Sequence, residues 1–515
     1  MNNPTYLLGI DLGTTGVKSL LIQDTGGIVA TATQEYPLST PRPNWSEQSP
    51  EAWWRATSRS IKEVLQKSGI DAGRVAALAI SGQMHGAVLL DAAGKVLRPA
   101  ILWNDGRSGA QCAEITERAG GPAALLEMVS NPALAGFTAP KLLWVRQNEP
   151  QVFAKVQTVL LPKDYINYRL TGVLATEVSD ASGTLLFDVR RRQWSDDLLR
   201  ALELPEHIVP RCYESVEVIG TVSKAAARSC GLKAGLPVVA GGADNACAAV
   251  GAGVVAPGQA LSSIGTSGTI VAPTTSGEPT PQGRAHVFCH AVPGAYYVMG
   301  VMLSAGGALR WYRDTLGQEE VSRAAAEGVD PYETLTRAAA TVAPGCEGLL
   351  FLPYLAGERT PHGDPNARGV FFGLSLRHTK AHLSRAVLEG VTFGLRDSVE
   401  IVRGLGLPVQ RLRATGGGAR SALWRQMQAD VFGAEVATVN TTEGPAYGAA
   451  LLAGAGARVF PSVEAAVSRT VREVYTAEPD GKAAAIYARY YALYTQLYPQ
   501  LQAQFAELAA LVGLK

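Results

Sequence analysis

Six cysteines stand in the 515-residue chain, at 112, 212, 230, 247, 289 and 346, and no two form a Cys-x-x-Cys pair. That spacing excludes a disulfide-stapled scaffold and predicts reduced, mostly buried thiols. Charge of either sign is not in excess: 46 basic residues face 45 acidic ones, for a net charge of +1. Nothing therefore points to nucleic acid or to an anionic membrane as a partner. Charges or glycines break every apolar run well before membrane-spanning length. No basic stretch followed by an apolar run opens the chain, so no signal peptide is expected and the cytoplasm is the expected location. The pattern G-x-x-x-x-G-K-[ST] is missing, which excludes a P-loop nucleotide site. Two histidine pairs, His378 with His382 and His286 with His290, lack the surroundings of a metal centre. The first has no adjacent glutamate, and the second lies on a strand-like stretch.

What is present is a globular composition, 47% hydrophobic and 18% charged. A single core stops growing well below this length, so two or more domains are expected. Tyr6 to Asp11, Val17 to Ile22 and Ile28 to Glu35 read as three strands of an antiparallel meander. Pro50 to Lys67 reads as a helix, with Ser49 as its N-cap and Gly69 as its stop. Val75 to Ser81 and Pro237 to Ala240 read as further strands. The opening then recurs: GIDLGTTGVKSLLI (9–22) is echoed by ALSSIGTSGTIVAP (260–273). The echo suggests two domains on one plan, with a break near Ala256. The expected division is 1–256, 257–475, and a helical segment 476–515 of open assignment. In that last segment Tyr487, Tyr491, Tyr494, Tyr498, Leu501 and Phe505 fall at helical spacing and predict packing, with Pro499 kinking or splitting the helix. The helix expected over Ala446 to Ala453 is rich in alanine and glycine.

Five constellations bear chemistry. Asp11 precedes Gly13-Thr14-Thr15-Gly16, a turn whose N–H groups and hydroxyls suit polyphosphate, with Lys18 to neutralise charge. Asp11 itself suits Mg²⁺, directly or through water. Gly265-Thr266-Ser267-Gly268 repeats the turn. Gly416-Gly417-Gly418 precedes a helix, where a phosphate or flat ring can approach backbone. Asp244-Asn245 ends a buried strand, where a carboxylate can take a proton from a hydroxyl. Met84-His85, after Gln83, and Trp103 to Arg107, including Asp105, offer polar groups and an aromatic wall to a sugar. Each has a plainer alternative: a hairpin turn, a flexible loop, a helix cap or a core residue.

Taken together, these motifs resemble the FGGY family of carbohydrate kinases, of the actin-like ATPase superfamily. The stretch 136–144 (GFTAPKLLW) and the stretch from Gly369 to Glu389 resemble the family's signatures. The resemblance implies an α/β fold of two ribonuclease-H-like, actin-like domains flanking a deep cleft. It implies ATP and Mg²⁺ as cofactors, and transfer of a phosphoryl group to a small sugar. The loops 80–91, 100–107, 241–251 and 286–294 resemble those of members acting on D-xylulose, with gluconate, ribulose and glycerol as alternatives. A silent sugar sensor is a further alternative. By resemblance Asp244 is the general base and Asp11 organises Mg²⁺. Met84, His85, Trp103, Asp105 and Asn245 contact sugar. Thr14, Thr15, Lys18, Gly265, Thr266, Gly306, Gly417, Gly418 and Ser421 contact the nucleotide. Ala243 departs from the glycine many relatives carry before the aspartate. A homodimer is a further expectation.

Overall fold

Three strands open the chain, as their apolar runs and turns require: β1 (Tyr6–Leu12), β2 (Gly16–Gln23) and β3 (Ile28–Glu35), paired as an antiparallel meander. The computed structural model describes residues 4–513. Leu7, Leu8, Ile10 and Leu12 are all buried, so β1 is covered on both faces and sits inside its sheet. Helix α1 (Pro50–Ser68) follows and ends at Gly69 in the left-handed region. Ser49 stands at the N-cap position, but its hydroxyl makes no capping bond. β4 (Val75–Gly82) then pairs parallel with β1. β5 (Val218–Thr221) and β6 (Pro237–Ala243) complete the sheet, in the order β5-β6-β4-β1-β2-β3. β6 runs three residues beyond the expected Ala240 and leads directly into α2 (Asp244–Gly251).

The second sheet repeats the plan. β7 (Gln259–Ile264) and β8 (Gly268–Thr274) form an antiparallel hairpin. β9 (Tyr296–Met302), β10 (Arg411–Gly416), β11 (Glu435–Val439) and β12 (Glu473–Ala477) join them in the order β9-β8-β7-β10-β11-β12. β10 is parallel to β7 and β11 to β10, and β12 closes the edge antiparallel. The first sheet has the same succession across its corresponding strands: β1–β2 antiparallel, β1–β4 and β4–β6 parallel, and β6–β5 antiparallel. The echo between 9–22 and 260–273 is thus the leading hairpin of each sheet, and the fold is the expected pair of ribonuclease-H-like domains.

By packing, the chain divides into two compact units. The first holds residues 4–255, 274–297 and 443–472, and the second holds 256–273, 298–442 and 473–513. A division at residue 256 alone does not describe this packing. Two later segments run with the first unit, and the C-terminal segment runs with the second. In the second unit, α3 (Gly306–Thr315), α4 (Lys380–Gly404) and α5 (Ala422–Phe432) flank the sheet.

The alanine and glycine content of α6 (Gly444–Gly456) explains why it belongs to the first unit. A Cβ on Gly448 would lie 1.9 Å from the Cys247 carbonyl oxygen, and one on Gly9 would lie 1.9 Å from that of Ala446. Backbone therefore meets backbone where α6 crosses α2 and β1, and no side chain fits between. The last helix, α7 (Gly481–Leu511), is continuous through Pro499, so the expected split is not found. Its tyrosine stripe packs as expected. The Tyr487 hydroxyl donates to Glu389 at 3.0 Å and Tyr491 to Asp397 at 2.6 Å, both on α4. Among the described residues, no helix is long and apolar enough to cross a membrane.

Candidate active site

Three neighbouring strands of the first sheet end side by side. Leu12 of β1 lies opposite Gly82 of β4, and Gly82 lies opposite Ala243 of β6. Asp11, the loop 83–85 and Asp244 therefore emerge at adjacent strand ends, where ligands bind in open α/β sheets. The second sheet matches this. Ile264 of β7 lies opposite Gly416 of β10, so Gly417 and Gly418 hold the place that Gln83 and Met84 hold in the first. One plan thus presents polar side chains in one unit and bare backbone in the other.

The two aspartates are strained electrostatically. Burial, with the charge of Asp244 adding to it, pushes the Asp11 carboxyl up to about 7, against the pull of Ser81 and Lys18. Asp11 Oδ1 is buried without a hydrogen-bond partner. Burial likewise pushes Asp244 up to about 6, opposed by the backbone and side chain of Asn245. Those bonds are 2.7 Å from the Asn245 N–H and 2.9 Å from its Nδ2, both to Asp244 Oδ1. Asp244 does not cap α2. The cap position is Ala243, and no side chain fills that role.

Met84 and His85 are buried, and His85 has a φ of 68°, in the left-handed region. Two groups hold that backbone. Lys141 Nζ donates to the His85 carbonyl at 2.8 Å and to that of Gly136 at 2.7 Å, and Thr138 Oγ1 donates to His85 at 3.1 Å. His85 Nδ1 meets the Gly183 carbonyl at 2.5 Å, and since a carbonyl only accepts, this nitrogen carries a proton. Phe137 packs edge-on at 4.7 Å between ring centroids. Any side chain at Gly183 would strike His85 Nδ1 at 2.8 Å and Met84 Cε at 2.9 Å. Sequence reasoning missed Lys141 and Gly183. A lysine inside the apolar run Phe137 to Leu143 was the available signal for the first. The Ser182-Gly183-Thr184 turn was the only one for the second.

The other first-unit residues divide. Trp103 Nε1 donates to Thr14 Oγ1 at 3.0 Å, and Thr14 donates on to Gln83 Oε1 at 3.3 Å. Thr14 is thereby tied to the indole and the 83–85 loop, while Thr15 is exposed. Lys18 lies opposite Asp11 on β2 and pairs with Glu443 at 2.8 Å. Asp105 stands apart. It is buried, and its oxygens accept from Ser46 N–H at 2.6 Å and from Arg107 through its N–H, Nε and Nη2 at 2.7–2.9 Å. It orders the loop, and both its oxygens are engaged by Ser46 and Arg107.

In the second unit, Gly265, Thr266, Gly306, Gly417, Gly418 and Ser421 line one cavity of about 840 Å³. The 265–268 turn sits on the start of α3: Gly306 N–H donates to Gly265 at 2.8 Å and Gly307 N–H to Thr266 at 2.9 Å. A Cβ on Gly418 would lie 2.6 Å from Ile264, so the floor exists only with glycine there. Ser421 caps α5 by accepting from Trp424 N–H. Arg310, not foreseen, donates to Thr266 Oγ1 at 3.1 Å on the same wall. The discounted histidines serve the backbone: His378 Nδ1 accepts from Ser375 N–H at 3.0 Å and His382 Nδ1 from Thr379 N–H at 3.1 Å. Among the described residues no cluster of histidine, cysteine and carboxylate side chains forms a metal site.

Comparison with known proteins gives concordant results. The N-terminal domain of the FGGY family of carbohydrate kinases matches residues 6–251, and its C-terminal domain matches residues 260–457. The xylulose kinase of Escherichia coli (strain K12) is 45% identical over 447 residues, 87% of this chain and 89% of that one. The gluconokinase of Bacillus subtilis (strain 168) is 33% identical over 455 residues, 87% of each. Among solved structures, a xyloylose kinase from Brucella ovis superposes with a TM-score of 0.89 at 38% identity, covering 97% of this chain and 100% of that one.

Proposed function

The chain belongs to the FGGY family of carbohydrate kinases and is an ATP-dependent sugar kinase, and we propose that it converts D-xylulose to D-xylulose 5-phosphate. The observation that carries this reading is the row of strand ends placing Asp11, Met84-His85 and Asp244 next to one another. The identity to a xylulose kinase exceeds that to a gluconokinase, which favours the pentulose.

In the proposed reaction a sugar hydroxyl oxygen bonds to the γ-phosphorus as the bond to ADP breaks, in line, and the proton passes to Asp244. A carboxylate raised to about 6 is ionised at neutral pH yet more basic than an ordinary one, which suits that task. His85 contacts a sugar hydroxyl, Asn245 offers its carbonyl oxygen, and Met84 and Trp103 supply apolar walls. Asp105 leaves the contact set. Gly265, Thr266, Gly306, Gly417, Gly418 and Ser421 hold the nucleotide in the second-unit cavity, and Thr14, Thr15 and Lys18 of the first unit are of residue types suited to phosphate. The unpartnered Asp11 Oδ1 fits a hard cation, so Asp11 would hold Mg²⁺ through water. When bound, Mg²⁺ neutralises polyphosphate charge. ADP release across a panel of pentuloses, hexuloses, gluconate and glycerol tests the proposal. D-xylulose is expected to give the highest kcat/KM. Turnover of gluconate or glycerol about tenfold better would overturn the sugar and leave the family.

His85→Ala is expected to weaken sugar binding by about 1–3 kcal/mol and leave ATP binding unchanged. Calorimetric titration of each ligand separately reads this, and equal losses would make His85 a packing residue.

Asp11 also makes a prediction about stability. Its carboxyl is raised from 3.8 to about 7 in the fold, so its stabilising contribution is full below 3.8 and is lost as pH rises through about 7. Asp11→Asn removes that loss. The variant without added metal is expected to melt higher than wild type at pH 8, by a smaller margin at pH 5, and about the same only below pH 3.8. A lower melting temperature at pH 8 would contradict the burial argument.

A further inference from the structure

We infer that Ser179 is a positioning residue for the Asp244 carboxylate, acting through the Ala243 N–H and anchored by buried Glu177 and Lys163. The inference rests on the reading of Asp244 as proton acceptor.

β6 does not run straight to its end. Its register against β4 shifts between Val239 and Gly242. Gly241 there has a φ of 81°, and a Cβ on it would lie 2.0 Å from the Ile80 carbonyl oxygen. Irregularities of this kind re-aim the next side chains, and the next side chains are Ala243 and Asp244. A strand end bent in this way needs fixing from outside the ladder. Ser179 supplies it, because Ala243 N–H donates to Ser179 Oγ at 2.9 Å.

The hydroxyl has little choice of direction. A serine carries one O–H donor and two lone pairs. Ser179 Oγ donates to Glu177, at 2.8 Å to Oε2 and 2.9 Å to Oε1, which leaves its lone pairs for Ala243. Glu177 is held in turn. It accepts from Ser179 N–H at 2.8 Å, Asp180 N–H at 2.9 Å and Ser215 Oγ at 2.6 Å. Lys163 Nζ lies 3.4 Å from Glu177 and 3.4 Å from Asp180, and 2.5 Å from Asp164. All six side chains, Lys163, Asp164, Glu177, Ser179, Asp180 and Ser215, are fully buried. A Cβ on Gly82 would lie 2.8 Å from Lys163 Cβ, so the same cluster backs the end of β4. The network lies directly behind two of the three strand ends that carry the site.

Loosening the Ala243 tether should weaken the two bonds that Asn245 gives Asp244. Those bonds lower the Asp244 pKa, so their weakening moves it up. Ser179→Ala is therefore expected to lower kcat about tenfold, to shift the acid limb of the kcat–pH profile upward by about half a unit, and to change KM for ATP less than about twofold. Ser215→Ala is the comparison: it removes a bond to the same carboxylate without touching Ala243. It should lower the melting temperature and leave the acid limb in place. Ser179→Cys keeps the size and offers a weaker acceptor, so a smaller shift in the same direction is expected; it decides the matter should Ser179→Ala not fold. If neither Ser179 variant moves kcat or the acid limb beyond what Ser215→Ala does, Ser179 only packs and the inference falls. An Asp244→Asn enzyme keeping more than about a tenth of wild-type kcat would instead remove the proton-acceptor reading itself, a separate outcome.

Discussion

Asp244→Asn is expected to lower kcat by at least about a hundredfold, with ATP binding and the melting temperature near wild type. The amide keeps the shape and one oxygen, so Asn245 N–H and Nδ2 still find an acceptor where Asp244 Oδ1 stands. Asp244 caps no helix, so no cap is lost. What disappears is the basicity that burial raises to about 6. The pH profile should carry the same information. Below about 6 the wild-type carboxylate takes a proton, and kcat should fall with it. Steady-state kinetics, nucleotide titration and thermal melting on one preparation are sufficient. Loss of melting temperature with kcat intact would reverse the assignment.

Lys163→Met is expected to cost about 3–5 kcal/mol of stability, because it leaves carboxylates buried without their cation. Burial pushes the Lys163 pKa down, but Asp164, Glu177 and Asp180 more than reverse this, and the net shift is upward. A lysine raised in the fold stabilises fully below its unfolded value, so the contribution is intact across neutral pH. In the variant the carboxylates must protonate or stay charged in a dry site. The deficit should then be largest near pH 8 and smaller near pH 5, where protonation relieves them. Urea unfolding at the two pH values reads both magnitude and sign. A deficit below about 1 kcal/mol at pH 8 would mean that the cluster is neutral in the native state.

Local signals carried much of the fold. The meander, the two Gly/Thr hairpins and α1 follow from apolar runs and turn residues that act over a few positions. The hairpin echo pointed to two like domains, and the sheets have like topology. The packing of segments 274–297 and 443–472 with the first unit was not legible, because their place is set by distant partners. Alanine and glycine at 446–453 announce a close crossing without naming its partner. The site was legible where side chains have an obvious chemistry, as at Asp11, His85 and Asp244. For Asp105 the sequence did not show that its carboxylate is engaged by Ser46 and Arg107. Lys163 and Ser179 left no local signal, and those of Lys141 and Gly183 did not reveal their roles, because each acts through another residue's backbone or charge across long separations. Pro499 was read by its usual effect, yet α7 passes through it, packed along its tyrosines against α4.

The place of α6 has a consequence for synthesis on the ribosome. The strands it covers are among the first to emerge, and α6 itself is encoded beyond nearly the whole second sheet. At about 5–20 residues per second, the nascent first sheet waits roughly ten to forty seconds for its own missing layer. During that interval the groove beside Gly9, and the α2 surface at Cys247 and Gly251, stand open, shaped to accept only a backbone at contact distance. The first half of the gene product thus cannot finish folding as it leaves the exit tunnel. Its completion is postponed until the other half has been translated, which makes the two halves one cooperative unit in biogenesis although each is built on a plan of its own.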